Sequence, residues 1–202
     1  MKHAIRLFGF VLGAALAPLA MAQEAPDAMV KRVTLEVVGI IKSDPKVQAG
    51  DQARIREVIE SKLLPHFDFE RMTALAMGRN WRTATPEQQK QLVDQFRTLL
   101  VRTYSGALNQ YRDQTFDFKP LRAEPNASDV IVKTEVQRSG QQPVQLDYGM
   151  TKKDGAWKVY DVIVGGVSLV TNYRDEFNAQ VQSGGIDGLI KTLTAKNSGA
   201  AK

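Results

Sequence analysis

The chain has 202 residues, with 27 Lys and Arg against 22 Asp and Glu, two histidines and no cysteine, for a formal net charge of +5. Without a thiol, disulfide staples, cysteine nucleophiles and thiolate metal sites are all excluded, so a chain of this length must rest on an apolar core. The charge is a modest basic excess with no Lys/Arg-rich run, which argues against nucleic acid and favours approach to anionic membranes or acidic partners.

The first stretch, "MKHAIRLFGFVLGAALAPLAMAQEAP", pairs the basic residues Lys2 and Arg6 with an apolar run from Leu7 to Leu19. Ala20-Met21-Ala22 then makes a small-x-small cleavage site. This is the pattern of a Sec-type signal peptide over residues 1–22, too short to cross ~30 Å of hydrocarbon. It has no lipobox cysteine. Cleavage before Gln23 leaves about 180 of the 202 residues and lowers the net charge from +5 to +3. One domain is expected over residues 23–196, with "NSGAAK" (197–202) as a flexible tail. The leader places the mature chain in a bacterial periplasm.

From Pro26 to Ser43, Val30, Val33, Val37, Val38 and Ile41 recur at helical spacing, and Pro45 disfavours helix at Asp44. Asp51 caps a second helix with Ile55, Val58, Ile59 and Leu63 on one face, stopped at Pro65. "LPHFDFERMTALAMG" (64–78) then packs His66, Asp68, Glu70 and Arg71 into six positions. His66 is the only histidine left after processing. A histidine metal site usually needs two or more, and a triad needs a nucleophile beside the base. The stretch reads instead as a turn in which Asp68 caps a helix that Gly78 closes, with Arg71 pairing Glu70 or a neighbouring acid, while Phe67, Phe69, Met72, Leu75 and Met77 join the apolar wall.

The clearest helix spans 85–111. Thr85 is its N-cap, Pro86 stands at N1 and Gln88 completes a capping box. Leu92, Phe96, Leu99, Leu100, Tyr104, Leu108 and Tyr111 form its apolar stripe. Period two follows in "QTFDFKPL", "DVIVKTEVQ", "PVQLDYGM" and "AWKVYDVIV", each a strand, with short turns that make antiparallel hairpins. Helical spacing returns at Val170, Tyr173, Phe177 and Val181, with Gly184 as the stop, and "IDGLIKTL" makes a last short helix. The expected architecture is α+β: a helical N-terminal half, a four-stranded antiparallel twisted sheet, and C-terminal helices packing back. One sheet face carries Phe116, Val132, Leu146, Tyr148, Trp157 and Val159, with helix 85–111 as its lid.

Catalytic motifs are absent from the sequence: there is no GxxxxGK[ST], GxSxG or HExxH. "VGGVS" (164–168) leads from strand to helix, but GxGxxG is not met, and a bend explains it better than a phosphate site. Asp117, Asp147 and Asp161 all fall in strands, which leaves a small enzyme open as an alternative. The feature that stands out is apolar supply on helices and sheet alike. Beyond a closed core, it is what an apolar cavity requires.

"LLPHFDFERMTALAMGRNWRTATPEQQKQLVDQFRTLLVRTYSGAL", "YDVIVGGVSLVTNYRDEF" and "GIDGLI" resemble the MlaC family, also called the toluene-tolerance Ttg2D family, over nearly all of the mature chain. The resemblance implies an NTF2-like cradle enclosing an apolar cavity. It implies a non-enzymatic, soluble periplasmic carrier with no cofactor besides bound phospholipid. It implies shuttling between an outer-membrane lipoprotein, MlaA, seated beside a porin, and the inner-membrane MCE-domain protein MlaD of an ABC transporter, which maintains outer-membrane lipid asymmetry. A monomer with transient membrane proximity is expected.

The expected lipid-binding wall comprises Phe96, Leu100, Tyr104 and Leu108 on the long helix. On the strands it takes Val132, Leu146, Tyr148, Trp157, Val159 and Val162, and beyond them Val167 and Val170. Arg79, Arg82 and Arg174 are candidates for meeting phosphate near the mouth. The alternatives are a small periplasmic NTF2-like enzyme, with a buried Asp-His or Asp-Asp pair in the cavity, and an adaptor without a lipid cavity.

Overall fold

The computed structural model describes residues 24–108, 113–124 and 126–199. The signal peptide proposed at residues 1–22 lies outside them, as do residues 109–111 at the end of the expected long helix. No described helix is long and apolar enough to cross a membrane.

Helix α1 (Pro26–Ser43) buries Val30, Val33, Val37 and Ile41 in one stripe, as the spacing predicts. Asp44 ends it and starts the next element, its carboxylate accepting the backbone N–H groups of Lys46 (2.9 Å) and Val47 (3.3 Å) at the head of α2 (Pro45–Gln48). Asp51 does the same for α3 (Gln52–Val58), accepting from Ala53 and Arg54 at 2.9 and 3.1 Å. The chain then widens into a π-helical turn, Ile59–Leu63, and tightens into a 3₁₀ turn, Leu64–His66.

The "HFDFE" segment ties helices to sheet. Phe67 bridges to Val159, and the Asp68 N–H donates to the Val159 carbonyl at 2.8 Å. The Asp68 carboxylate caps α4 (Phe69–Met77) through the Arg71 N–H, and Lys153 pairs with both Asp68 (3.2 Å) and Glu70 (3.0 Å). Arg71 pairs with Asp129 and lies 3.8 Å over the Tyr160 ring centroid. So the acids are structural clamps.

A 3₁₀ turn (Gly78–Thr83) leads to α5 (Pro86–Leu108). The capping box forms reciprocally: Gln88 N–H to Thr85 Oγ1 at 3.2 Å, Thr85 N–H to Gln88 Oε1 at 3.0 Å.

The strands are β1 (Thr115–Phe118), β2 (Asp129–Gln137), β3 (Val144–Lys153), β4 (Ala156–Val164) and β5 (Val167–Ser168), paired antiparallel in chain order. This is one strand more than the four expected. The extra one comes from "VGGVS": Gly165 (φ +57) and Gly166 (φ +84) form a two-residue hairpin loop that pairs Val164 with Val167. Two successive positive φ angles match the sheet's twist and favour glycine at both positions. The stretch is a tight turn.

Beyond it, Ser168 caps α6 (Leu169–Asn172), and α7 runs Arg174–Ser198 with a kink at Gly185 (φ 68, ψ −175). The kink follows directly on the Gly184 stop, so the two expected C-terminal helices abut. Asn197, assigned to the tail, lies inside α7, and its amide donates to the Gln95 carbonyl at 2.9 Å.

Three apolar clusters hold the layers. Leu92 and Phe96 of α5 pack with Val170, Phe177, Leu189 and Leu193, and the Phe96 ring meets Tyr173 and Phe177 edge-on at 5.1 and 5.2 Å. Val37 and Ile41 of α1 pack with Val47, Ile55 and Val58. Met29, Val30 and Val33 pack onto Val130, Val132, Met150 and Val159 of the sheet. The lid therefore differs from the expectation. Over the middle of the sheet it is α1; the N-terminal two-thirds of the α5 stripe is spent on α4 and α7. A long amphipathic stripe states that it needs an apolar partner, and another helix satisfies it as well as a sheet.

Candidate ligand cavity

The cross-strand register sets which side chains share a face. Val132 pairs with Tyr148, Thr134 with Leu146, and Tyr148 with Val162. A bulge where Gly149 and Met150 face Asp161 and Val159 leaves Tyr160 as an extra residue. Simple alternation would put Val159 and Val162 on opposite faces. The bulge returns both to one face, together with the Phe116, Val132, Leu146, Tyr148 and Trp157 expected there.

That face is divided along the strands. At one end Val132, Val159 and Trp157 close against α1. At the other a cavity of about 290 Å³ remains open. Its sheet wall is Phe116, Leu146, Tyr148, Val162 and Val164; its α5 wall is Leu100, Val101, Tyr104 and Ser105. Thr34, Val37, Val38 and Ile41 of α1 line it, as do Ile59, Leu63 and Leu64 around the π turn. Phe67, Phe69, Met72 and Leu169 complete it. The π turn serves this wall, since its extra residue per turn presents Ile59, Leu63 and Leu64 together.

Among the described residues, the polar atoms of the lining side chains are the hydroxyls of Thr34, Ser105, Tyr104 and Tyr148, and no lining residue is charged. An apolar ligand is thus favoured by about 25 cal/mol per Å² of surface it removes from water, with no charge to desolvate.

Of the twelve expected wall residues, the structure brings Leu100, Tyr104, Leu146, Tyr148 and Val162 to the cavity. Phe96 and Val170 are fully buried in the helical core instead. Val132, Val159 and Trp157 sit on the cavity's face of the sheet but under α1. Val167, in the hairpin, is 59% exposed. The Leu108 side chain lies outside the described residues. Phe67, Phe69 and Met72, expected to join the apolar wall, do line the cavity, whereas the α1 wall and Ile59, Leu63 and Leu64 were missed because their helical spacing reads as ordinary core. Phe67 and Phe69 carried the one usable signal, aromatic residues interleaved with charged ones in an irregular stretch.

The three strand carboxylates do not converge on the cavity. Asp161 accepts the Val170 N–H at 3.3 Å, Asp117 pairs with Lys119 at 2.6 Å, and Asp147 alternates away from Leu146 and Tyr148 and accepts the Gln145 amide at 2.6 Å. Arg174 is equally committed, its guanidinium donating twice to the Leu75 carbonyl at the end of α4 (3.1 and 3.0 Å), and neither Arg79 nor Arg82 lines the cavity. His66 is held below the ordinary imidazole range by burial first, then by the charges of Arg32 and Lys158, against the opposing effect of Glu24 and Glu36. Among the described residues no group of His, Asp and Glu is arranged to hold a metal ion.

An α+β cradle with an uncharged apolar cavity is the form of a binding protein for a hydrophobic ligand. The family model described as "MlaC protein" matches residues 31–195, and the chain belongs to the MlaC family. It is 29% identical to the toluene tolerance protein ttg2D of Pseudomonas putida over 91% of this chain and 85% of that protein. It is 24% identical to the intermembrane phospholipid transport system binding protein MlaC of Haemophilus influenzae, over 96% and 92%. A solved phospholipid-binding protein from Ralstonia solanacearum, in complex with a phospholipid, superposes with a TM-score of 0.81 at 40% identity, covering 89% of this chain and all of that one.

Proposed function

We propose that this chain is a periplasmic phospholipid carrier that takes up glycerophospholipid acyl chains in the cavity between β3, β4, α1 and α5. The observation that carries the reading is the uncharged apolar wall, in a chain 40% identical to a structure that holds a phospholipid. At ~0.8 kcal/mol per buried CH₂, two chains of ordinary length represent on the order of 20 kcal/mol of hydrophobic free energy. Spontaneous loss into water is therefore negligible, and release requires a receptor that offers an equivalent apolar path. No bond is made or broken in this reading, in which acyl chains fill a wall that, among the described residues, carries hydroxyls and no carboxylate, imidazole or amine. Shuttling between the MCE protein MlaD and the lipoprotein MlaA with its porin, and through it outer-membrane asymmetry, supplies such receptors at both ends. The carrier works as a monomer with brief membrane contact.

Native mass spectrometry of the purified mature protein should show one or more co-purified phospholipids, and labelled lipid should pass from vesicles to the protein. Neither co-purified lipid nor uptake would end this reading.

A further inference from the structure

A second cleft, of about 590 Å³, adjoins the apolar cavity. Gln52, Arg56 and Glu60 line one side of it, four residues apart along α3 and the π turn. The other side is α5, with Asp94, Arg97 and Arg102. Leu64, Val101 and Ser105 line both spaces, which therefore lie side by side, each open to solvent.

The cleft's charge is as distinctive as the cavity's lack of it. Three arginines stand against Glu60 and Asp94. None of the five is in an ion pair with another described residue, although ten such pairs exist elsewhere among the described residues. Arg97 marks the border. Its guanidinium lies 5.9 Å from the centroid of the Phe69 ring, and Phe69 lines the apolar cavity. A cation over an aromatic wall, with no carboxylate holding it, is placed to meet an anion attached to whatever fills the cavity.

We infer that this cleft is a phosphate subsite: Arg97, with Arg56 and Arg102, receives the anionic phosphodiester of a glycerophospholipid whose chains occupy the neighbouring cavity. The inference rests on the carrier reading and adds a place for the headgroup. A guanidinium matches phosphate oxygens with paired N–H donors, and the phosphodiester keeps its charge across the physiological range. Because the cleft is open to water, each contact is screened, and its effect is to orient the lipid and discriminate for phosphate while the chains supply most of the affinity.

The test compares two lipids with the same acyl chains, phosphatidylglycerol and diacylglycerol, in uptake from vesicles by the mature protein and by Arg97→Gln. Phosphatidylglycerol retention should fall about threefold in the variant, roughly 0.7 kcal/mol, while diacylglycerol retention stays at the wild-type level. Equal losses for both lipids, or no loss for either, would overturn the subsite. If the wild type takes up neither lipid, the carrier reading fails whatever the variant does. Inorganic phosphate titrated alone separates a free-phosphate site: binding that Arg97→Gln abolishes, with phosphatidylglycerol retention unchanged, overturns the headgroup assignment. Should Arg97→Gln unfold at lower temperature because Phe69 loses its cover, Arg56→Gln carries the same comparison.

Discussion

Val132 and Leu146 stand on the same face of the same sheet, one strand apart, yet a carboxylate should do opposite things at the two positions. Val132 is 1% exposed and closed in by α1. In Val132→Glu the new group has no partner and no water. A burial shift of about 3–5 pKa units, at ~1.4 kcal/mol per unit, corresponds to about 4–7 kcal/mol. That is comparable to the whole stability of a domain, about 5–15 kcal/mol, so the variant should be largely unfolded or recovered in small amounts. Leu146 is half-buried and lines a cavity of about 290 Å³, and at ~30 Å³ per water there is room for roughly ten molecules to hydrate a carboxylate. Leu146→Glu should then cost about 1–2 kcal/mol, part of one leucine's burial. A bound acyl chain, however, strips that water. The penalty of at least about 3 kcal/mol corresponds to some hundredfold weaker lipid retention. Urea unfolding gives the first quantity, and native mass spectrometry of protein recovered with its lipid gives the second. If Leu146→Glu unfolds like Val132→Glu, or holds phospholipid as well as the wild type, the division of the sheet face into a closed and an open end is wrong.

Other consequences can be checked alongside. The His66 imidazole is held below its ordinary range in the folded state, so on acidification the unfolded chain takes up the proton first. Stability should therefore fall as pH drops through about 6.5, and level off below the folded-state value. In His66→Gln that part of the pH dependence should vanish from a series of urea midpoints; an unchanged profile would assign it elsewhere. Thr85→Ala removes half of the capping box on α5 and should cost about 1 kcal/mol, or some 2–4 °C in Tm by calorimetry, with lipid retention unaffected. Gly185→Ala meets nothing within 4 Å, yet it places a Cβ at φ 68, ψ −175, a region open almost only to glycine. It should cost about 1–3 kcal/mol by urea unfolding, and a neutral result would mean that the kink between the halves of α7 relaxes freely.

The helix caps were legible because each is a local event: Asp51, Asp68 and Thr85 satisfy N–H groups two or three residues away, and spacing that short is written directly in the sequence. The alternation along each strand was legible for the same kind of reason, since period two puts Leu146 and Tyr148 of β3 on one side together, and the register then sets Val132 of β2 beside them. What faces a stripe is a different matter. Phe96 and Leu100 belong to one apolar stripe, but the first meets Phe177 while the second lines the cavity, and nothing in the period distinguishes them. Helical spacing encodes direction around an axis and is silent about what stands opposite. The boundary between core and cavity along β3 and β4 depends on where α1 ends its coverage. The Arg56 and Arg97 cleft depends on two helices, some forty residues apart in sequence, settling side by side. The sequence by itself determined the main helices and four of the strands, the caps at Asp51, Asp68 and Thr85, the absence of thiol chemistry and the alternation along β2 and β3, since these follow from interactions between near neighbours. Only the tertiary structure decided where the apolar surface fails to close, because a cavity is a shortfall of packing among segments far apart in the chain, and no single segment records it.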